Sequence, residues 1–161
     1  MNIEIICVGG LKEPWLKEAE REYLKRLSPY IKIIITEVSE KKLAKNPSSA
    51  DENIVRKAEG EALLKHSDKH NGAYIYALDN RGKQFTSEVF ANRLGELALS
   101  GKSALIFIIG GSLGLPEEVR QKADMVLSFS DMTFLHQMTR IILLEQLYRA
   151  QKIQRGEPYH K

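Results

Sequence analysis

The segment "ALIFIIGGSLGLPEEV", residues 104–119, sets six apolar residues before a loop carrying Gly110, Gly111 and Gly114, then a proline and two acids. Glycines let backbone come close to a ligand, and the amino end of a helix attracts negative charge, so such a loop suits an anion or a cofactor. A tight strand-to-helix turn needs glycine as well, and the glycines by themselves do not choose between the two readings. No G-x-x-x-x-G-K-S/T is present and no G-x-G-x-x-G follows the first apolar run, which argues against a P-loop NTPase and a dinucleotide fold. Two further stretches, "LDNRGKQ" (78–84) and "LSFSDMTF" (127–134), also leave apolar runs. Three loops would then meet at the carboxyl ends of neighbouring strands, where open α/β sheets bind ligands.

The elements that must hold these loops follow from periodicity. Strands are expected at 3–8, 31–38, 73–78, 104–109 and 125–129, and helices at 14–27, 48–66, 87–100, 116–123 and 133–153. Pro14 and Pro116 stand where proline opens a helix, and Gly72 and Gly101 where glycine ends one. The alternation predicts a single α/β domain over 1–161, a mainly parallel sheet flanked by helices on both faces. The last helix carries Leu135, Met138, Ile141, Leu144 and Leu147 over more than one stripe. Packing on one sheet face would leave aliphatic surface in water, so a further partner is expected, most simply a second copy of the chain.

Net charge is +3, from 24 Lys or Arg against 21 Asp or Glu. The excess lies from Phe134 onward, which suits a polyanion contact there, although a solvated helix end has the same composition. The longest apolar runs fall far below the roughly 18 residues of a membrane span, and the amino end lacks the pattern of a signal peptide, so a cytoplasmic location without membrane contact is expected. Cys7, the one cysteine, lies among Ile5, Ile6 and Val8 as a core residue would. His66 and His70 fall at a polar helix end, and no metal site is expected from them.

Taken in order and spacing, "LDNRGKQ", "IFIIGGSLGL", "LSFSDMTF", "HQMTRIILLEQLYRA" and "RGEPYHK" closely resemble the SPOUT-class (α/β-knot) methyltransferases, in particular the RlmH family, which methylates N3 of a pseudouridine in large-subunit ribosomal RNA. The resemblance covers essentially the whole chain. It implies a small homodimeric enzyme with a deep carboxyl-terminal trefoil knot that cradles S-adenosylmethionine, and an assembled ribosome as substrate. Connection rules alone would have led to an unknotted doubly wound sheet. By position, the family's cofactor contacts fall on Leu78, Gly110, Phe129, Ser130, Asp131, Met132, Thr133 and Phe134. The chain departs from the family pattern at Gly10 and Asp131, where basic residues are usual, and at Leu135, where proline is usual.

The base nitrogen to be methylated is an imide that is mostly protonated at neutral pH. Help with that proton is expected from the last helix and the tail. Arg140 or Arg155 would steady the anion or a nearby phosphate, while Tyr159 and His160 would position the base, His160 also being a candidate proton acceptor. His136, four residues before Arg140, would share its helix face, or would serve only a hydrogen bond across the dimer. Rival readings are a ribosome-binding protein without activity, a phosphate-loop enzyme of another kind, and a SPOUT enzyme acting on transfer RNA.

Overall fold

In the computed structural model, residues 2–102 and 104–159 are described. Five strands, β1 (Asn2–Val8), β2 (Lys32–Val38), β3 (Tyr74–Gln84), β4 (Ala104–Ile109) and β5 (Met125–Ser128), form one sheet in the order β2-β1-β4-β3-β5. Every adjacent pair is parallel. The helices are α1 (Pro14–Leu27), α2 (Ser49–Ser67), α3 (Ser87–Leu99), α4 (Glu117–Lys122) and α5 (His136–Gln154). β4 lies at the centre with both faces covered, which is why its sequence is an unbroken apolar run rather than an alternation.

One sheet face packs Ile3, Ile5, Tyr76, Leu105 and Phe107 against Leu27 of α1, Phe90 and Leu94 of α3, and Leu143, Leu144 and Leu147 of α5. The other packs Ile6, Ala77, Ile106 and Ile108 against Leu63 of α2 and Val119 of α4. The width of the apolar surface of α5 is therefore mostly explained within the chain, since α1 and α3 flank it: Leu143, Leu144, Leu147 and Ala150 are all 0% exposed. Apolar surface stays open just ahead of that helix, at Met132, Phe134 and Leu135, and elsewhere at Trp15, Ile54 and Leu99 among others. No helix among the described residues is long and apolar enough to cross a membrane.

The sequence-based boundaries differ from the structure at two places that matter for the site. β3 does not stop at Leu78 but resumes at Lys83, and both residues pair with Leu127, so residues 79–82 are pushed out as a bulge in the strand. Gly82 permits this, because a Cβ there would lie 2.6 Å from the Val126 carbonyl oxygen. α5 begins at His136 rather than at residue 133, which leaves residues 129–135 as an irregular segment between β5 and the helix.

Candidate active site

β3, β4 and β5 deliver Leu78, Ile109 and Leu127 to one edge of the sheet, where a cavity of about 600 Å³ opens over their carboxyl ends. The bulge after Leu78, the glycine loop after Ile109 and the segment after Ser128 form its walls, and the first turn of α5 adds His136 and Thr139.

The glycine loop is folded back on itself. Gly114 has φ +74°, and its amide donates to the Gly111 carbonyl at 3.0 Å. A Cβ at Gly110 would lie 2.8 Å from the Gly114 carbonyl carbon, and one at Gly111 would lie 2.9 Å from Glu59 Oε2. Two arginines brace this loop: Arg56 Nε donates to the Leu113 carbonyl at 2.9 Å, and Arg120 Nη1 donates to that of Leu115 at 2.7 Å. Asp79, in the bulge, takes both Nε and Nη2 of Arg81 at 2.8 Å and faces Arg120 at 3.3 Å. Burial would raise the Asp79 carboxyl, but the hydrogen bonds from Arg81 and the charge of Arg120 outweigh it and hold it below its ordinary value.

The third wall is tied by serines. The Ser130 amide donates to Ser128 Oγ at 3.2 Å, Ser128 Oγ to the Ser130 carbonyl at 2.9 Å, and the Met132 amide to Ser130 Oγ at 3.0 Å. Among the residues expected to touch the cofactor, Leu78, Gly110, Phe129, Ser130, Met132, Thr133 and Phe134 line the cavity. The Asp131 side chain instead accepts from Gln84 Nε2 at 2.6 Å and pins the segment to the end of β3.

Arg140 lies elsewhere. Its side chain is 2% exposed, with Nη1 donating to Glu20 at 3.0 Å and to Glu37 at 2.8 Å, and Nη2 donating to the Gly9 carbonyl at 2.9 Å. The four-residue spacing from His136 therefore does not put the two side chains in one environment: His136 lines the cavity, and Arg140 does not. Arg140 locks α5 to α1 and to the carboxyl ends of β1 and β2. Burial would lower its affinity for a proton, and the surrounding Cys7, Glu37 and Glu20 more than restore it. Cys7 is buried beneath it, its thiol pushed up to about 11 chiefly by that burial, and is no nucleophile.

The tail folds back along α5, as far as Glu145 in the middle of the helix. Arg155 stacks over the Tyr30 ring at 4.7 Å; Tyr159 packs edge-on against Tyr148 at 4.8 Å, lies under Arg149, and donates to Glu145 at 3.3 Å. Burial pushes the Tyr159 phenol up to about 12. Tyr159 meets α5 at Glu145 and Tyr148, nine and twelve residues beyond His136, so about 14 to 18 Å of helix separates these contacts from the cavity of the same chain. His160 lies outside the described residues. His136 and Asp79, which sequence reasoning did not include among the catalytic or cofactor contacts, are cavity residues, and their signal is position, two residues after Phe134 and directly after Leu78.

The cavity suits S-adenosylmethionine. Leu78, Ile109, Leu115 and Leu127 supply apolar surface for a purine, and the glycine loop presents backbone that a Cβ would crowd. A cavity over the carboxyl edge of an all-parallel sheet, closed by a glycine loop, is the ligand-binding arrangement of open α/β proteins. The family profile described as "Predicted SPOUT methyltransferase" matches residues 1–160, and the chain belongs to that family. It is 54% identical to the ribosomal RNA large subunit methyltransferase H of Clostridium novyi (strain NT) and 52% identical to that of Alkaliphilus oremlandii (strain OhILAs), over the full length of both partners in each case. The fold is shared with a probable methylase family protein from Haemophilus influenzae Rd KW20, at a TM-score of 0.56 and 12% identity, covering 99% of this chain and 70% of that one.

Proposed function

We propose that this chain is an S-adenosylmethionine-dependent methyltransferase of large-subunit ribosomal RNA, acting at N3 of a pseudouridine on the assembled ribosome in the cytoplasm, and working as a homodimer. The observation that carries the reading is the cavity itself: seven of the eight residues expected from the RlmH resemblance to hold the cofactor line one space at the sheet edge. Full-length identity of about half to the named ribosomal RNA enzymes supports the substrate class.

When bound, S-adenosylmethionine supplies a methyl group already activated by its sulfonium. The chain's residues align and shield. Leu78, Leu115 and Phe129 exclude water from the apolar part of the cavity, and the serine-tied segment fixes Met132 to Phe134 at its mouth. Alignment alone can account for much of the acceleration of a bimolecular displacement. Arg155 and Tyr159 do not line the cavity of their own chain, and we assign the tail to the cavity of a second copy. The exposed Met132, Leu135 and Trp15 offer apolar surface for that partner.

Calorimetric titration with S-adenosylmethionine, and mass mapping of large-subunit ribosomal RNA from cells with and without the gene, test the reading. Saturable binding and one methyl group lost from a pseudouridine are expected. Binding without any lost methyl group on that RNA would redirect the substrate to transfer RNA, and no binding at all would leave a ribosome-binding protein.

A further inference from the structure

Three of the described residues lining the cavity have side chains that titrate: Asp79, Arg81 and His136. Asp79 is committed to Arg81 and Arg120 and is held anionic by them. Arg81 carries its proton throughout the physiological range. His136 alone is uncommitted. Its Nδ1 is closed off from solvent and has no hydrogen-bond partner among the described residues, which leaves Nε2 as the ring nitrogen open to the cavity that the residue lines. Burial lowers its proton affinity below the ordinary 6.5 of imidazole; Lys12 and Arg140 act in the same direction and Glu40 against it. Lys12 is paired with Glu40, and Arg140 with Glu20 and Glu37, so the surrounding charges are largely balanced. A neutral ring therefore faces the cavity at neutral pH, with a lone pair to offer.

We infer that His136 is a catalytic residue that takes the proton from the base nitrogen to be methylated. The inference rests on the methyl-transfer reading above. The imide N–H bond breaks, its electron pair stays on nitrogen for the incoming methyl group, and the proton joins the lone pair of Nε2, the ring nitrogen that is not closed off, to give an imidazolium that later releases it to solvent. The imidazolium and the imide anion stabilise each other in a cavity of low polarity, which offsets the low basicity of the buried ring. The tail is then left to position the base rather than to deprotonate it.

The test compares wild-type protein with His136→Gln and His136→Asn in single turnovers on ribosomes from cells lacking the gene, at saturating S-adenosylmethionine between about pH 6 and pH 9. Calorimetry with S-adenosylmethionine and NMR titration of the His136 ring give readouts besides activity. The ring should titrate below 6.5. Both variants should lose on the order of 100-fold in rate at pH 7 while cofactor affinity stays within about threefold, and their residual rate should climb about tenfold per pH unit as hydroxide takes over. A variant with the wild-type rate and pH profile, a parallel loss of cofactor affinity, or a ring titrating above 6.5 would each overturn the assignment. If one variant does not fold, the other carries the comparison. Failure of the wild-type protein to bind S-adenosylmethionine would instead overturn the methyl-transfer reading.

Discussion

Asp79, in the wall of the cavity, meets Arg120, Oδ2 to Nη1 at 3.3 Å, while the same Nη1 holds the Leu115 carbonyl at 2.7 Å. One guanidinium thus joins the bulge of β3 to the glycine loop, and a side chain only 5% exposed supplies its counter-charge. Asp79→Asn keeps the shape and removes the charge, leaving two arginines with a weaker acceptor. Cofactor affinity should fall about tenfold, or about 1.4 kcal/mol, as measured by calorimetry. An unchanged affinity would show that the glycine loop holds its form without this tie.

Arg140 carries a prediction of the opposite kind. Removing a buried charge that satisfies two carboxylates costs about 3 kcal/mol, the low end of such effects, because Glu37 is half exposed and can take up water. Arg140→Met should therefore lower stability to urea by that amount, while the single-turnover rate of the folded protein changes by less than about threefold. A large loss of rate at unchanged stability would restore Arg140 to the chemistry.

The elements were legible because buried parallel strands are short unbroken apolar runs and helix ends carry proline and glycine. Three features were not. The bulge at residues 79–82 depends on Gly82 passing over the Val126 carbonyl, and nothing in "LDNRGKQ" distinguishes that from a loop. The burial of Arg140 depends on Glu20 and Glu37, 120 and 103 residues away in the chain, and helical spacing shows only its neighbours. The separation of the tail from the cavity depends on which way α5 runs across the sheet. The cofactor contacts themselves came from resemblance, since Leu78, Phe129 and Phe134 would otherwise pass for core residues, and the knotted path rests on resemblance alone.

Glu59 offers a pH test. It is 4% exposed, its Oε1 accepts the Lys41 amide at 3.0 Å, and its Oε2 lies beside Gly111. Burial raises its carboxyl above the ordinary 4.5, against the opposing hydrogen bond from Lys41. Between the unfolded and folded values the folded state binds the extra proton, so this group favours folding toward acid and loses that contribution as pH rises through the folded value. Glu59→Gln keeps an acceptor for Lys41 and has no charge to bury. The variant should be the more stable protein at pH 7 in urea unfolding, and the difference should vanish below about pH 4, where both forms are neutral. Equal stability at pH 7 would mean that water reaches this carboxylate.

Whether a tail serves its own cavity or a partner's can be decided by mixing two inactive proteins. Gly110→Ala places a Cβ 2.8 Å from the Gly114 backbone and should block the cavity while leaving the tail intact. A variant with Arg155→Ala and Tyr159→Phe keeps the cavity and removes the guanidinium over Tyr30 and the phenol on Glu145. If tail and cavity belong to different copies, each mixed dimer has one wild-type cavity facing one wild-type tail. Random exchange makes half of the dimers mixed, so about a quarter of wild-type activity should return on co-refolding. If tail and cavity act within one chain, every site in the mixture keeps a defect and no activity returns. The first outcome is favoured because neither Arg155 nor Tyr159 lines the cavity of its own chain, and about 14 Å of helix lies between His136 and Glu145, where the Tyr159 phenol is held.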